Sequence, residues 1–368
     1  MIKILHAADL HLDSPFDGLP GNKAALRRSE QRAMLSSIME LADNEDVDII
    51  LFAGDILDSS SARIETAEQL AQVFASVSIP IFISPGNHDF ISPNSPYSRL
   101  SFPENVHIFR SRDIECVELP ALGARIWGAG FTDSTSPSLL ADFEAEKHDD
   151  ILDIMCIHGE VGAKNSSYNP ISIDELARSG MDYVALGHIH SFSGVLLAGE
   201  TAYAWPGCPE GRGFDETGEK GVIIAQVQAD RSDLRFVPLD GRRYEIIKVD
   251  LTDKDNHLAA IIQALPENCT RDIYRIILTG ECEAVPDMNA INAELDGKFF
   301  AHQLRDSTIP KKDIWEDVGS DTLRGLFLTR LREKYDHAGD DSEKTRIIAA
   351  VRWGLAALDS REEPYGNQ

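Results

Sequence analysis

Ile2-Lys3-Ile4-Leu5-His6-Ala7-Ala8-Asp9-Leu10-His11 opens the chain: an apolar run that ends in two potential metal ligands one residue apart. The same arrangement returns four times. Asp48–Ala53 runs into Gly54-Asp55-Ile56-Leu57-Asp58, and Pro80–Ser84 into Gly86-Asn87-His88-Asp89. Ile151–Ile157 runs into His158-Gly159, and Tyr183–Leu186 into Gly187-His188-Ile189-His190. Short apolar runs alternating with amphipathic stretches, such as Ala24–Asp43 and Ile64–Ser76, are the pattern of an α/β fold. In such sheets, sites gather outside the carboxyl ends of the strands, which is where each motif stands.

The donors in these motifs are imidazole and oxygen, with no thiolate. On extended backbone, residues i and i+2 share a face, so Asp9 can converge with His11, and His188 with His190. Glycines at 54, 86, 159 and 187 allow tight exits from the strands. The five stretches therefore bring Asp9, His11, Asp55, Asn87, His158, His188 and His190 toward one rim. Seven donors are too many for one ion and suit two ions sharing a carboxylate, a centre able to clamp a phosphate and activate water. Mixed His and carboxylate ligation points to Mn, Fe, Zn or Co rather than an all-oxygen Mg or Ca cage. The remaining histidines, His6, His107, His148, His257, His302 and His337, lack such company and read as structural or surface residues.

Composition sets limits. The chain has 368 residues, 43% hydrophobic and 26% charged, enough for one large core and a smaller domain. No apolar run reaches the roughly 20 residues of a membrane helix, and nothing at the start resembles a signal peptide. Five scattered cysteines (Cys116, Cys156, Cys208, Cys269, Cys282) without a C-x-x-C pair argue against a disulfide scaffold or structural zinc, and favour a reducing cytoplasm. Cys156, two residues before His158, reads as a small buried strand residue. The net charge of -26 weighs against tight, independent duplex binding, because phosphate neutralisation dominates that affinity.

Further strands are expected at Asn105–Phe109 and Ala124–Ala129, and a glycine- and charge-rich loop at Gly207–Gly221. Three segments follow: 1–242 as a catalytic domain, 243–310 as a small α+β domain, and 311–368 as helices. In the small domain the order is strand Tyr244–Asp250, helix Asn256–Leu265, strand Ile273–Leu278, helix Met288–Leu295 and strand Phe299–Leu304. The closing helices are Asp321–Tyr335, with Leu323, Leu326, Phe327 and Leu331 as its stripe, and Ser342–Leu358, with Ile347, Ile348, Val351, Leu355 and Leu358. Lys311, Lys312, Arg324, Arg330 and Arg332 form the densest basic stretch there, read first as a solvated helix face and second as a binding strip.

All five motifs, in this order over roughly residues 1–220, resemble the calcineurin-like metallophosphoesterase superfamily. That resemblance implies a four-layer αββα sandwich. It implies that Asp9, His11 and His190 hold one metal, that Asn87, His158 and His188 hold a second, and that Asp55 bridges them. His88 would then stand beside the scissile phosphate, with Asp89 orienting it. Asp58 matches a recurrent family aspartate of the outer ligand sphere, or serves as a helix N-cap. Within the superfamily, His6–Phe16, Ser95-Pro96-Tyr97, Pro103–His107 and Pro206–Phe214 are similar to the SbcD/YhaO branch of DNA-repair exonucleases. The branch implies a small capping domain after residue 243, DNA as substrate, an SMC-like ATPase partner at the terminal helices, and a homodimer as a further assembly. Arg212, on the glycine-flanked loop, is either a phosphate contact or a plain surface residue.

The expectation is a cytoplasmic, manganese-dependent nuclease with two divalent ions. The alternatives are a small-molecule phosphoesterase, for cyclic nucleotides or nucleotide anhydrides, and a DNA-end-binding scaffold whose catalysis is dispensable. A protein Ser/Thr phosphatase fits less well, since those enzymes typically carry Glu where this chain has Asp89.

Overall fold

The computed structural model describes residues 1–359 other than 61, 149, 230 and 312. It divides into two compact units, Met1–Glu245 and Ile246–Gln368. In the first, chain order runs β1 (Ile2–Ala7), α1 (Gly21–Asn44), β2 (Ile49–Phe52), α2 (Ile64–Phe74), β3 (Ile81–Ile83), α3 (Pro96–Arg99), β4 (Val106–Ile108), β5 (Glu115–Leu119) and β6 (Ala124–Gly128). It continues with β7 (Leu152–His158), β8 (Glu160–Val161), β9 (Pro170–Ile171), α4 (Ile173–Arg178), β10 (Tyr183–Gly187), β11 (Leu196–Ala198), β12 (Thr201–Ala204), β13 (Gly221–Val227) and β14 (Ser232–Pro238).

Two six-stranded mixed sheets result, ordered β14-β13-β1-β2-β3-β4 and β11-β12-β10-β7-β6-β5. Period-2 alternation explains their stacking. In the first sheet, Ile4, Ile49, Leu51, Ile223 and Ala225 face the second sheet, where Ile126, Ile154, Cys156, Tyr183 and Ala185 meet them. Their neighbours Leu5, Ile50, Phe52 and Ile224 turn the other way, onto Leu35, Ile38 and Met39 of α1 and Leu70 and Phe74 of α2. On the far side, Met155, Ile157, Val184 and Leu186 pack against Leu176 of α4. These layers make the expected αββα order, with α4 as a thin outer layer. β1, β2 and β3 run parallel, as do β7 and β10, so their carboxyl ends share one rim.

Several readings need correction. The apolar face expected of α1 does not hold throughout: Leu26 is 46% exposed, and the buried face includes Arg27 and Gln31. Strands β5 and β11 to β14 are additions to those expected from the sequence. Cys156 is buried between the sheets, and burial raises its thiol pKa far beyond the reactive range.

The second unit contains most of β15 (Tyr244–Asp250), then α5 (His257–Ala264), β16 (Ile273–Thr279), β17 (Glu281–Cys282), α6 (Met288–Leu295), β18 (Ala301–Asp306), β19 (Ile309–Pro310), α7 (Leu323–Asp336) and α8 (Asp341–Leu358). Its three-stranded sheet, β15-β16-β18, buries Ile276 and Leu278 with Ile261, Ile291 and Leu295 of the helices. The small sheet and the closing helices fall in this same unit, where the sequence suggested separate segments at 243–310 and 311–368. On α7 the buried residues are Gly325 and Leu328; Leu323 and Leu326 of the expected stripe are largely exposed. α7 and α8 close on Phe327 against Gly354, where a Cβ would overlap the ring.

The basic stretch there is locally neutralised. Lys311 pairs with Asp253 and Glu283, Arg324 with Asp317 and Asp359, Arg330 with Glu333 and Arg332 with Asp336. Lys312 lies outside the described residues. Among the described residues, no helix is long and apolar enough to cross a membrane.

Candidate metal centre

Three of the five motifs leave their strands through unusual backbone. Asp9, His11, Asp55 and His188 all have positive φ (55°, 46°, 51° and 95°). L-residues rarely adopt that region, and each instance costs on the order of 1–3 kcal/mol. The surroundings enforce it. Asp9 N–H donates to Gly54 O at 3.0 Å and His11 N–H to Asp55 O at 2.9 Å, which laces the first two motifs together. Both carboxylate oxygens of Asp9 accept the His188 N–H, at 3.1 and 3.0 Å, which ties β1 to β10. Gly86 and Gly187 have no room for a side chain: a Cβ at Gly86 would overlap Asp55 Oδ1, and one at Gly187 would overlap Ala53 O.

The seven expected ligands converge. Asp9, His11 and His190 bring one ligand atom each within 4.8 Å of one another, and so do Asp55, His158 and His188. Asp55 Oδ2 stands between the groups, 3.8 Å from His11 Nε2 and 3.5 Å from His158 Nε2. Asn87 Oδ1 lies 3.0 Å from His158 Nε2 and 3.1 Å from His188 Nδ1.

The hydrogen bonds behind the rings decide which nitrogen faces inward. His11 Nδ1 donates to Asp58 Oδ1 at 3.0 Å, His158 Nδ1 to Ala53 O at 2.8 Å and His190 Nδ1 to Glu216 Oε1 at 2.6 Å. His188 points the other way round, with Nε2 3.2 Å from Glu160 Oε1. Carboxylates and carbonyls only accept, so each of these nitrogens carries the proton and the other offers a bare lone pair to the centre. His11 Nε2 and His190 Nε2 are left facing each other at 3.3 Å. Paired lone pairs in a buried pocket fit a cation between them, and imidazoles backed by acceptors are the usual metal-binding arrangement.

Charge agrees. Burial lowers His11 to about 4, against the pull of Asp58, and burial with the neighbouring His158 lowers His188 to about 4. Both are thus neutral and free to serve as ligands. Asp9 is pushed well up, by burial and then by the Asp55 charge. Burial also pushes Asp55 up, but the imidazoles of His158, His11 and His88 outweigh it and hold that carboxyl low. Two buried carboxylates this close repel, which a divalent cation relieves.

His88 stands at the exposed edge, its ring 4.7 Å from that of His11. Its N–H donates to Asp55 Oδ1 at 2.9 Å and its Nδ1 to the Asp58 carbonyl at 3.2 Å. Asp89 does not orient it. The Asp89 carboxylate is buried and accepts from the N–H groups of Gly86, Asp55, Ile56 and Leu57 and from Tyr97 Oη at 2.7 Å. It ties the second and third motifs together, and the His88 ring is outside its reach.

Asp58 acts as the carboxylate behind His11, with Ser14 Oγ as a further donor at 3.0 Å; α2 begins after Arg63 and takes no cap from it. Arg212 is mostly buried and bonded to Asp58 and Glu216. Sequence reading missed Glu160, Glu216, Tyr97 and Asn169, whose Nδ2 donates to His158 O at 2.8 Å. Glu160 sits two residues beyond His158 and Tyr97 inside a segment already singled out, so proximity was a usable signal. For Glu216, in an aperiodic loop, there was none.

The family profile of calcineurin-like phosphoesterases matches residues 2–192, which span all five motifs. The chain is also 32% identical over 283 residues, 73% of its own length and 68% of the relative's, to the uncharacterized metallophosphoesterase YhaO of Bacillus subtilis (strain 168). With the sandwich, the rim and the seven converging donors, these likenesses have one reading: the chain belongs to the calcineurin-like phosphoesterase family and is a metal-dependent hydrolase.

Proposed function

We propose that the chain hydrolyses phosphodiester bonds of DNA at a centre loaded with two divalent ions, manganese by preference. The observation that carries the diesterase reading is the exposed His88 imidazole beside a buried carboxylate–imidazole cluster. When bound, the cations supply polarisation of the phosphoryl oxygen and acidification of water. Asp9, His11 and His190 would hold one, Asn87, His158 and His188 the other, with Asp55 within reach of both groups.

The protein's own groups do the rest. Water adds to phosphorus and gives up a proton to solvent, the bond to the leaving oxygen breaks, and that oxygen takes up a proton. The carbonyl at His88 Nδ1 suits both the neutral ring and the imidazolium, so Nε2 is able to carry a proton to the departing oxygen. Asp89 keeps the loops under Asp55 and His88 in place.

DNA as the substrate is supported by the SbcD/YhaO-like segments His6–Phe16 and Pro206–Phe214. An SMC-like ATPase partner, a homodimer and a cytoplasmic location belong to the same reading. The net charge of -26 favours a second one, a small nucleotide diester or anhydride, which needs no basic surface. A panel of single- and double-stranded DNA, cyclic nucleotides and bis-p-nitrophenyl phosphate with manganese separates them. DNA cleavage supports the first reading. Turnover of small diesters with every DNA left intact overturns it.

A further inference from the structure

The loop between β12 and β13 carries a residue that the hydrolysis itself does not use. Arg212 reaches Asp58 Oδ1 through Nη1 at 3.2 Å and Glu216 Oε1 through Nη2 at 2.7 Å, and its backbone N–H donates to Glu216 Oε2 at 2.7 Å. Asp58 Oδ1 is the acceptor for His11 Nδ1 and Glu216 Oε1 the acceptor for His190 Nδ1. One guanidinium therefore touches both carboxylates that orient both imidazoles of one metal position. The other position is built without it, His158 resting on Ala53 O and His188 on Glu160.

The chemistry suits arginine alone. Its planar fork presents separate donors to two acceptors at once, whereas a lysine ammonium is a single point charge. Four carboxylates crowd this side of the centre: Asp9, Asp55, Asp58 and Glu216. The guanidinium offsets the outer two, so that they stay aimed at the rings instead of repelling one another or turning inward as ligands.

We propose that Arg212 is a positioning residue that sets His11 and His190 as one unit and thereby tunes the affinity of one metal position and not the other. This rests on the two-metal reading above. Manganese titration of the full chain by calorimetry tests it. Wild type should take up two ions. In Arg212→Lys one of them should bind about 10–100-fold more weakly, the cost typical of losing the group behind a ligand, with the other within about twofold. In an Asn87→Ala background, which damages the opposite position, the weakened ion should be the one that is left.

Equal weakening of both ions, or of neither, overturns the proposal. A wild-type chain that takes up no metal overturns the two-metal reading itself, so the two failures are distinguishable. Arg27→Lys is the structural control, because Arg27 anchors the same loop through Glu210 and the Gly211 carbonyl without touching a metal-facing histidine. It should lower thermal stability and keep both ions; the same selective metal loss there would reduce Arg212 to a loop anchor. If Arg212→Lys fails to fold, Glu216→Gln, which keeps an acceptor for His190, should give the same one-sided loss.

Discussion

In the proposed centre His88 and the candidate ligands have different roles, so that each can be removed with a different signature. The His88 ring bonds to the Asp58 carbonyl and stands at the solvent edge. His88→Ala should therefore keep its metal content while kcat on DNA falls by about 10²–10⁴-fold, the range for a lost general acid. Bis-p-nitrophenyl phosphate, whose leaving group needs little protonation, should lose much less. Equal losses on both substrates would show that His88 is not the proton donor. Which residues matter was largely legible at this scale, because Asp, Asn and His are rarely placed together without cause. How they are held was not. The positive φ angles at Asp9, His11, Asp55 and His188 come from bonds between distant motifs, and Asp89 was assigned to the wrong neighbour because adjacency in sequence does not give the direction of a side chain.

Strands were legible where apolar runs are long, and strand ends where a motif follows. Helix α1 shows the limit: its face buries Arg27 and Gln31, whose partners are Glu210, the Gly211 carbonyl and the carbonyls of Leu10 and His11. Periodicity discounts polar residues, so a helix that braces a site is misread on the very face that does so. β1 carries a related device. His6 is fully buried between the sheets, with Nδ1 2.8 Å from Tyr183 Oη and Nε2 3.1 Å from Leu186 O on β10. Burial lowers its pKa to about 3 against the Leu186 carbonyl. The unfolded ring takes up a proton below about 6.5 while the folded ring refuses it, so stability is complete above that pH and drains away as pH falls toward 3. Metal-free protein melted from pH 7 to pH 4 should lose stability steeply, with His11 and His188 adding to the slope, and His6→Gln should flatten it. An unchanged slope in that variant would place the acid sensitivity elsewhere.

Across the whole molecule, charge is the feature that the fold does not absorb. At -26 the protein repels a polyanion, and the basic residues of the closing helices are matched by acids beside them. Salt screens such repulsion, the Debye length falling from about 30 Å at 0.01 M to about 10 Å at 0.1 M. At fixed manganese, kcat/KM on DNA should rise over this range, opposite to the steep fall shown by basic binders. A steep fall would reveal a local cationic groove. Salt leaves the buried centre itself unaltered. The most direct test is the manganese content of the purified chain after saturation and desalting. Wild type should hold two ions per chain, and Asp55→Ala, having lost the carboxylate between the two groups, should hold fewer than one. A wild-type chain without manganese, or an Asp55→Ala variant with undiminished content, would contradict the account.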